Sequence, residues 1–343
     1  MRKRSIWLLL SLLALLPVVR GQHLGFLAGG GWCLPNDQTF SYVSQPTGSA
    51  AILMEWPQAD GWLLGVRADA MAMRHAIAGT RFSLSVNIED RLFGPIDEVL
   101  ELGLSAYTNP FRSSGDTLNA LIGTVLNCHI GVGLRLRIPV DESHSLSFST
   151  RLVHSSNGYL RKPNRGLNYL QAELGVHFAP VIRHTPIETA FQPMPVFRCF
   201  ASYAPGVVQE RGPVLDAPYY YAHSLLLGAL HPLSRNRLLG AEVDFMYNYA
   251  HRAEARRNGD ENPLPLYVGL CATYQRDWDR LFMRVSLGSD VVRSSYLLGY
   301  VYERIGLNYR LNSGHSVTPY VGAACKAYYA HIDYIEWTFG VEF

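Results

Sequence analysis

Beyond residue 21 the chain alternates. Apolar side chains recur at every second position, with polar or small residues between them, which is the period of a β-strand and not of a helix. Fourteen segments between Gly61 and Phe343 carry this pattern, among them Leu100–Tyr107, Ser145–Ser156, Leu167–Phe178, Leu281–Val292 and Asp333–Phe343, and one or two more fit between His23 and Trp56. Most exceed the five or six residues usual in globular sheets and are long enough to cross a bilayer at a tilt. The connections alternate in length. Ser234–Asn236, Trp278–Asp279 and Asn312–His315 are short, whereas Val208–Pro218 and Arg252–Pro263 are long and polar. Transmembrane barrels have short turns on the periplasmic side and longer loops outside. The chain also ends on Ile335, Trp337, Phe339, Val341 and Phe343, apolar at every second position. These features predict an all-β fold, a transmembrane antiparallel up-and-down β-barrel of about 14 strands (range about 12–16), in preference to a secreted sandwich or propeller.

The first residues read differently. Arg2, Lys3 and Arg4 precede an apolar run from Ile6 to Val19, followed by Arg20 and Gly21. This is the pattern of a secretory signal peptide over residues 1–21, and the run is short for a membrane anchor. Residues 22–343 are then the barrel. The Pro-containing stretch Pro180–Met194 divides it into near-equal halves without a recognisable repeat, and the second half is expected to add strands to one larger barrel, with a second small barrel as the alternative. The charged stretch from Arg252 to Asn262 is expected to be a solvated loop.

Composition narrows the function classes. Charged residues make up 17% of the chain and aromatics 12%, with 20 Tyr and 30 Gly, which excludes disorder and coiled coil. A net charge of +2 without a basic run gives no ground for nucleic-acid binding. The five Cys form no CxxC pair, and the 12 His form no metal-binding motif, so neither a disulfide framework nor a metal site is expected. A GxSxG nucleophile elbow is absent.

One stretch carries chemistry. On the strand ending at Ser156, Leu146, Phe148, Leu152, His154 and Ser156 share one face, and Ser145, Ser147, Ser149 and Arg151 share the other. In a barrel the apolar face meets lipid. His154 and Ser156 therefore close the lipid-facing row. On the return strand Asn168 falls in the apolar row with Leu170, Ala172, Leu174, Val176 and Phe178, while Glu173 and His177 face the lumen. Polar groups on a lipid-facing surface are costly without partners or a purpose. A histidine next to a serine is the minimum for an activated nucleophile, and residues two apart on a strand point the same way. Ser155 points to the opposite face. Counting strands back from the C-terminus puts the Asn157–Gly166 loop outside the cell and this pair at the level of the outer leaflet. There lipopolysaccharide presents ester-linked acyl chains.

His154-x-Ser156-Asn157, followed by Lys162-Pro163-Asn164-x-Gly166-Leu167, resembles the signature of the outer-membrane lipid A 3-O-deacylase family (PagL-like, or acyloxyacyl hydrolases). Gly103–Tyr107 and Asn119–Gly133 resemble longer members from the Bacteroidetes, and the resemblance runs from about Leu100 to Phe178. It implies a general base at His154, a serine nucleophile at Ser156 and oxyanion or substrate contacts at Asn157 and Asn164. The implied substrate is lipid A, no metal or cofactor is implied, and outer-membrane lipid and the barrel-assembly machinery are the other implied partners. Two departures stand out. Asn168 occupies the position of a glutamate that orients the histidine in well-known members, and it supplies an amide oxygen without charge. Asp141, Glu142 and Glu173 lie at the wrong end or on the wrong face to replace that acid. The chain also continues far beyond the motif, where short members stop. The competing reading is a non-enzymatic barrel, either a porin-like channel or a structural protein.

Overall fold

A computed structural model of the chain describes residues 23–34, 44–58, 61–73, 78–111, 119, 121–178, 197–210, 215–261, 263, 266–292, 299–312, 316–329 and 331–343. Residues 1–21, expected to be a signal peptide, and Pro180–Met194 lie outside them. The described residues form sixteen antiparallel strands closed into two barrels of eight. The first contains β1 (His23–Leu34), β2 (Gln45–Pro57), β3 (Leu63–Met73), β4 (Arg81–Phe93), β5 (Ile96–Tyr107), β6 (Leu126–Pro139), β7 (His144–Ser156) and β8 (Leu167–Phe178). The second contains β9 (Arg198–Gln209), β10 (Tyr219–Ser234), β11 (Arg237–Asn248), β12 (Leu266–Trp278), β13 (Leu281–Val292), β14 (Val301–Arg310), β15 (Thr318–Tyr328) and β16 (His331–Glu342).

The all-β, up-and-down expectation holds, and sixteen strands lie within the expected range. The single larger barrel does not. β8 returns to β1 in continuous register from Leu24–Phe178 to Leu34–Asn168. Closure consumes both edges of the first sheet, so β9 has no free edge to extend and must begin a barrel of its own. A second correction concerns the charged stretch after β11. Residues Tyr249–Arg257 form a helix, α1. Asn248 caps it by accepting hydrogen bonds from the backbone N–H groups of Ala250 and His251, and Arg256 and Arg257 sit in the last turn, where the helix dipole favours cations.

Both barrels are apolar outside and charged inside. Leu84, Leu174 and Trp337 are among the exposed outer residues. Inside the first barrel, Arg67 and Arg151 both reach Glu173, at 2.6 and 2.8 Å, and Arg137 reaches Glu55 at 2.7 Å. In the second, Arg304 pairs with Glu336 at 2.5 Å and Asp244 at 3.0 Å, and Lys326 joins the same Asp244 at 2.8 Å. Arg67, Arg81, Arg135 and Arg151 are fully buried. These lumens are therefore filled by paired charges. Removing one partner of such a pair costs about 3–5 kcal/mol, because the other is left as an unpaired buried charge.

The barrels stand side by side with their termini at the same end. At that end Trp62 and Trp278 meet, with ring centroids 6.4 Å apart, over Ile88 and Leu100. The Trp278 indole donates to Asp90 at 3.0 Å, and Arg276 pairs with the same carboxylate. At the opposite end, the loop after β7 meets the second barrel.

Candidate active site

The site begins with strand parity. Val153 and Ser155 of β7 turn into the lumen and His154 and Ser156 turn out; on β8, Leu167 and Tyr169 turn in and Asn168 turns out. The inward residues Val153, Leu167 and Tyr169 join Tyr107, Leu121 and Ile122 in an apolar plug at the mouth of the lumen. That plug anchors the ends of β7 and β8 from behind. Ser155 lies inside, near the Ser105 hydroxyl, and Glu173 is bound into the lumen charges, as their parity predicts.

Cross-strand pairing sets the outer face. His154 lies opposite Asn168 on one side and Ile130 on the other, and Cys128 lies opposite Ser156. The imidazole Nδ1 is 2.6 Å from the Asn168 amide oxygen. A carbonyl oxygen only accepts, so Nδ1–H donates and Nε2 is the basic nitrogen. Ser156 points to the same side as His154 and is 1% exposed. Its Oγ is buried and has no hydrogen-bond partner among the described residues, so the two side chains share one side of β7 without a bond between them.

The loop between the strands forms the roof. The backbone N–H of Asn157 donates to Oδ1 of Asn164 at 2.9 Å, and Nδ2 of Asn157 donates to the Arg161 carbonyl at 2.7 Å and to Thr124 Oγ1 at 3.2 Å. Both asparagines are thus close to Ser156 in the chain, but in this arrangement they tie the loop together. The N–H groups of Arg165 and Gly166 donate to the carbonyl of Leu121, which lays the loop over the segment leading into β6. Gly166 has φ +69, and a Cβ there would sit 2.8 Å from Cε1 of His154. It keeps the wall beside the imidazole open in a conformation that only glycine adopts easily. On the far side of the loop, burial and the Arg257 guanidinium lower the pKa of Lys162, an effect that Glu254 partly offsets.

The structure therefore brings His154, Ser156, Asn168, Asn157 and Asn164 into one neighbourhood at the loop end of the first barrel. Sequence reasoning did not identify Thr124 or Ile122, whose bridge to Asn164 steadies the loop. Their approach to Asn157 and Asn164 joins segments far apart in the sequence, and nothing local announces it.

Residues 53–177 match the family model described as lipid A 3-O-deacylase (PagL), so the likeness begins well before Leu100. Residues 197–343 match another, described as acyloxyacyl hydrolase, C-terminal domain. Among solved structures, the outer membrane enzyme PagL is similar at 17% identity and a TM-score of 0.32, covering 44% of this chain and 97% of that one. The KdgM porin in complex with disordered oligogalacturonate has 6% identity and a TM-score of 0.20, covering 94% of this chain and 98% of the porin. A mutant Rh. blastica porin has 10% identity and a TM-score of 0.21, covering 94% of this chain and 99% of that chain. No curated protein matches the chain.

Proposed function

We propose, from the premise that the chain belongs to the lipid A 3-O-deacylase (PagL) family, that it is an outer-membrane serine esterase that hydrolyses the 3-O-linked acyl chain of lipid A. The observation that carries this reading is the 2.6 Å contact between His154 and Asn168 on the outer face, beside Ser156. His154 Nε2 takes the hydroxyl proton of Ser156 as Oγ attacks the acyl carbonyl. The oxyanion is met by amide donors of Asn157 and Asn164 in the adjoining loop, with Asn157 exchanging its bonds to Arg161 and Thr124 for the substrate. His154 then returns the proton to the sugar oxygen as the ester bond breaks. Water, deprotonated by His154, releases the fatty acid from Ser156 and restores the enzyme. Asn168 holds the tautomer throughout but adds no negative charge to stabilise the imidazolium. In a resting site such hydrogen bonds are often loose and tighten around substrate.

Apolar outer walls on both barrels support an outer-membrane location, with the apolar C-terminal row as the feature an assembly machinery would read. A porin-like channel is the weaker reading, because paired, fully buried arginines occupy the lumen of the first barrel. The deciding experiment is mass spectrometry of lipid A from cells expressing the intact protein or its Ser156→Ala variant, in a host whose lipid A carries 3-O-acyl chains. Loss of one acyl chain with the first and not with the second is expected. An unchanged spectrum with the intact protein removes the reading.

A further inference from the structure

Every strand needed to present His154, Ser156 and Asn168 belongs to the first barrel, yet the loop over them is held from two sides. On its own side, Leu121 and Thr124 tie down Gly166, Arg165 and Asn157. The other ties come from the second barrel. The backbone N–H of Gln209, at the end of β9, donates to the carbonyl of Tyr159 at 2.9 Å. Its side-chain Oε1 accepts from the backbone N–H of Lys162 at 2.8 Å. Its Nε2 donates to the carbonyls of Leu215 and Ala217, at 2.9 Å each, so the amide is fixed within its own barrel before it reaches across. Tyr159 packs against a cluster that includes Val208, Ala222, Met246 and Tyr334. Its φ of 59 is a conformation that a side chain this large seldom adopts without surrounding contacts. Gly158, at φ +63, lies against Ile335 of β16 with no room for a Cβ.

We propose that the second barrel is a positioning element for the active site, and that Gln209 is its principal positioning residue, holding the Asn157–Gly166 loop in register over Ser156. The inference rests on the esterase reading for its kinetic consequence but not for its structural one. Gln209 bonds the loop at Tyr159 and Lys162, midway between Asn157 and Asn164, which is where a small shift would move both asparagines at once. Misplacement of catalytic donors by about 1 Å can cost on the order of a hundredfold in rate, so the effect falls on kcat while substrate binding by the barrel wall persists.

The test uses the intact protein in outer-membrane vesicles containing 3-O-acylated lipid A. Gln209→Ala removes the acceptor for Lys162, whereas Gln209→Glu keeps an oxygen there. Gln209→Ala is expected to lower kcat for acyl release about tenfold or more with KM nearly unchanged; Gln209→Glu keeps the acceptor for Lys162 but loses the donor to Leu215 and Ala217, so it is expected to recover only part of the loss. Amide hydrogen exchange of Lys162, whose N–H donates to the Gln209 side chain, and of residue 209, whose N–H donates to the Tyr159 carbonyl, should quicken in Gln209→Ala while the strands of both barrels stay protected. Tyr159→Ser removes the ring that packs the same loop against the second barrel while leaving the backbone bonds to Gln209; it should loosen the loop in the same two readouts and covers the case in which Gln209→Ala does not fold. Wild-type kcat and unchanged exchange in either folded alanine or serine variant overturn the clamp. An intact protein that releases no acyl chain but shows the quickened exchange in the variants overturns the esterase reading and leaves the clamp standing.

Discussion

The two barrels share a strand number, a topology and an interior of paired charges, but they differ at the outer rim. Where the first sets His154, Ser156 and Asn168 in its apolar face, the second sets aromatic rings. Tyr203 and Tyr221 stack on His223 at 5.8 and 6.3 Å, the Tyr203 hydroxyl lies 2.6 Å from the His223 ring nitrogen, and Tyr249 meets the same ring edge-on. Such rings suit the interface between lipid and water. Closure differs as well. The β1–β8 seam is continuous, whereas pairing of β16 with β9 is interrupted between Glu336 and Phe339, beside the residues that meet the loop of the first barrel. One architecture thus carries two different rims, and the difference is set by a few outward positions and by the pairing at the closing seam.

The largest expected effect breaks the comparison outright. Ser156→Ala should lower acyl release by on the order of 10⁴-fold or more. A residual rate near that of the intact protein, measured by fatty-acid release, would move the nucleophile elsewhere. Next come the interiors. Arg151→Met and Arg304→Met each strand buried carboxylates and should each destabilise their own barrel by about 3–5 kcal/mol in urea titrations of the folded protein. If the two costs differ by much more than the context dependence of such pairs, the interiors are not equivalent. Neither parent barrel should pass ions in planar bilayers, and steady conductance by the intact protein would mean that the lumen charges separate. Gly166→Ala should cost about tenfold to a hundredfold in kcat, because the added methyl pushes on the imidazole. The smallest change runs the other way. Asn168→Glu should raise the rate roughly tenfold by adding the charge that Asn168 lacks, the worth of about one unit of imidazole basicity. It should also shift the acid limb of the pH–rate profile upward. No rise would mean that the site already stabilises the imidazolium by other means.

Much of this was legible in the chain. Period-two alternation located every strand of the second half, and parity alone put His154, Ser156 and Asn168 on one face and Glu173 on the other. Closure was not legible. Whether β8 pairs with β1 or opens to β9 depends on contacts between residues far apart in sequence, and alternation is the same either way. The helix α1 was hidden for another reason. Its arginines and glutamate suggest solvent, and the alanines between them and the Asn248 cap were the signals that counted. Gln209 had no signal at all, since a glutamine at the end of a strand becomes a loop holder only once a second barrel stands next to the first.

On the esterase reading, the charge-filled interiors also set a direction of traffic. A reactive pair on an outer wall, next to a lumen filled with bound charge, would be reached by molecules already dissolved in the same sheet of lipid. Encounter would then be a search in two dimensions, and both halves of a cleaved lipid would drift away sideways without crossing from one compartment to another.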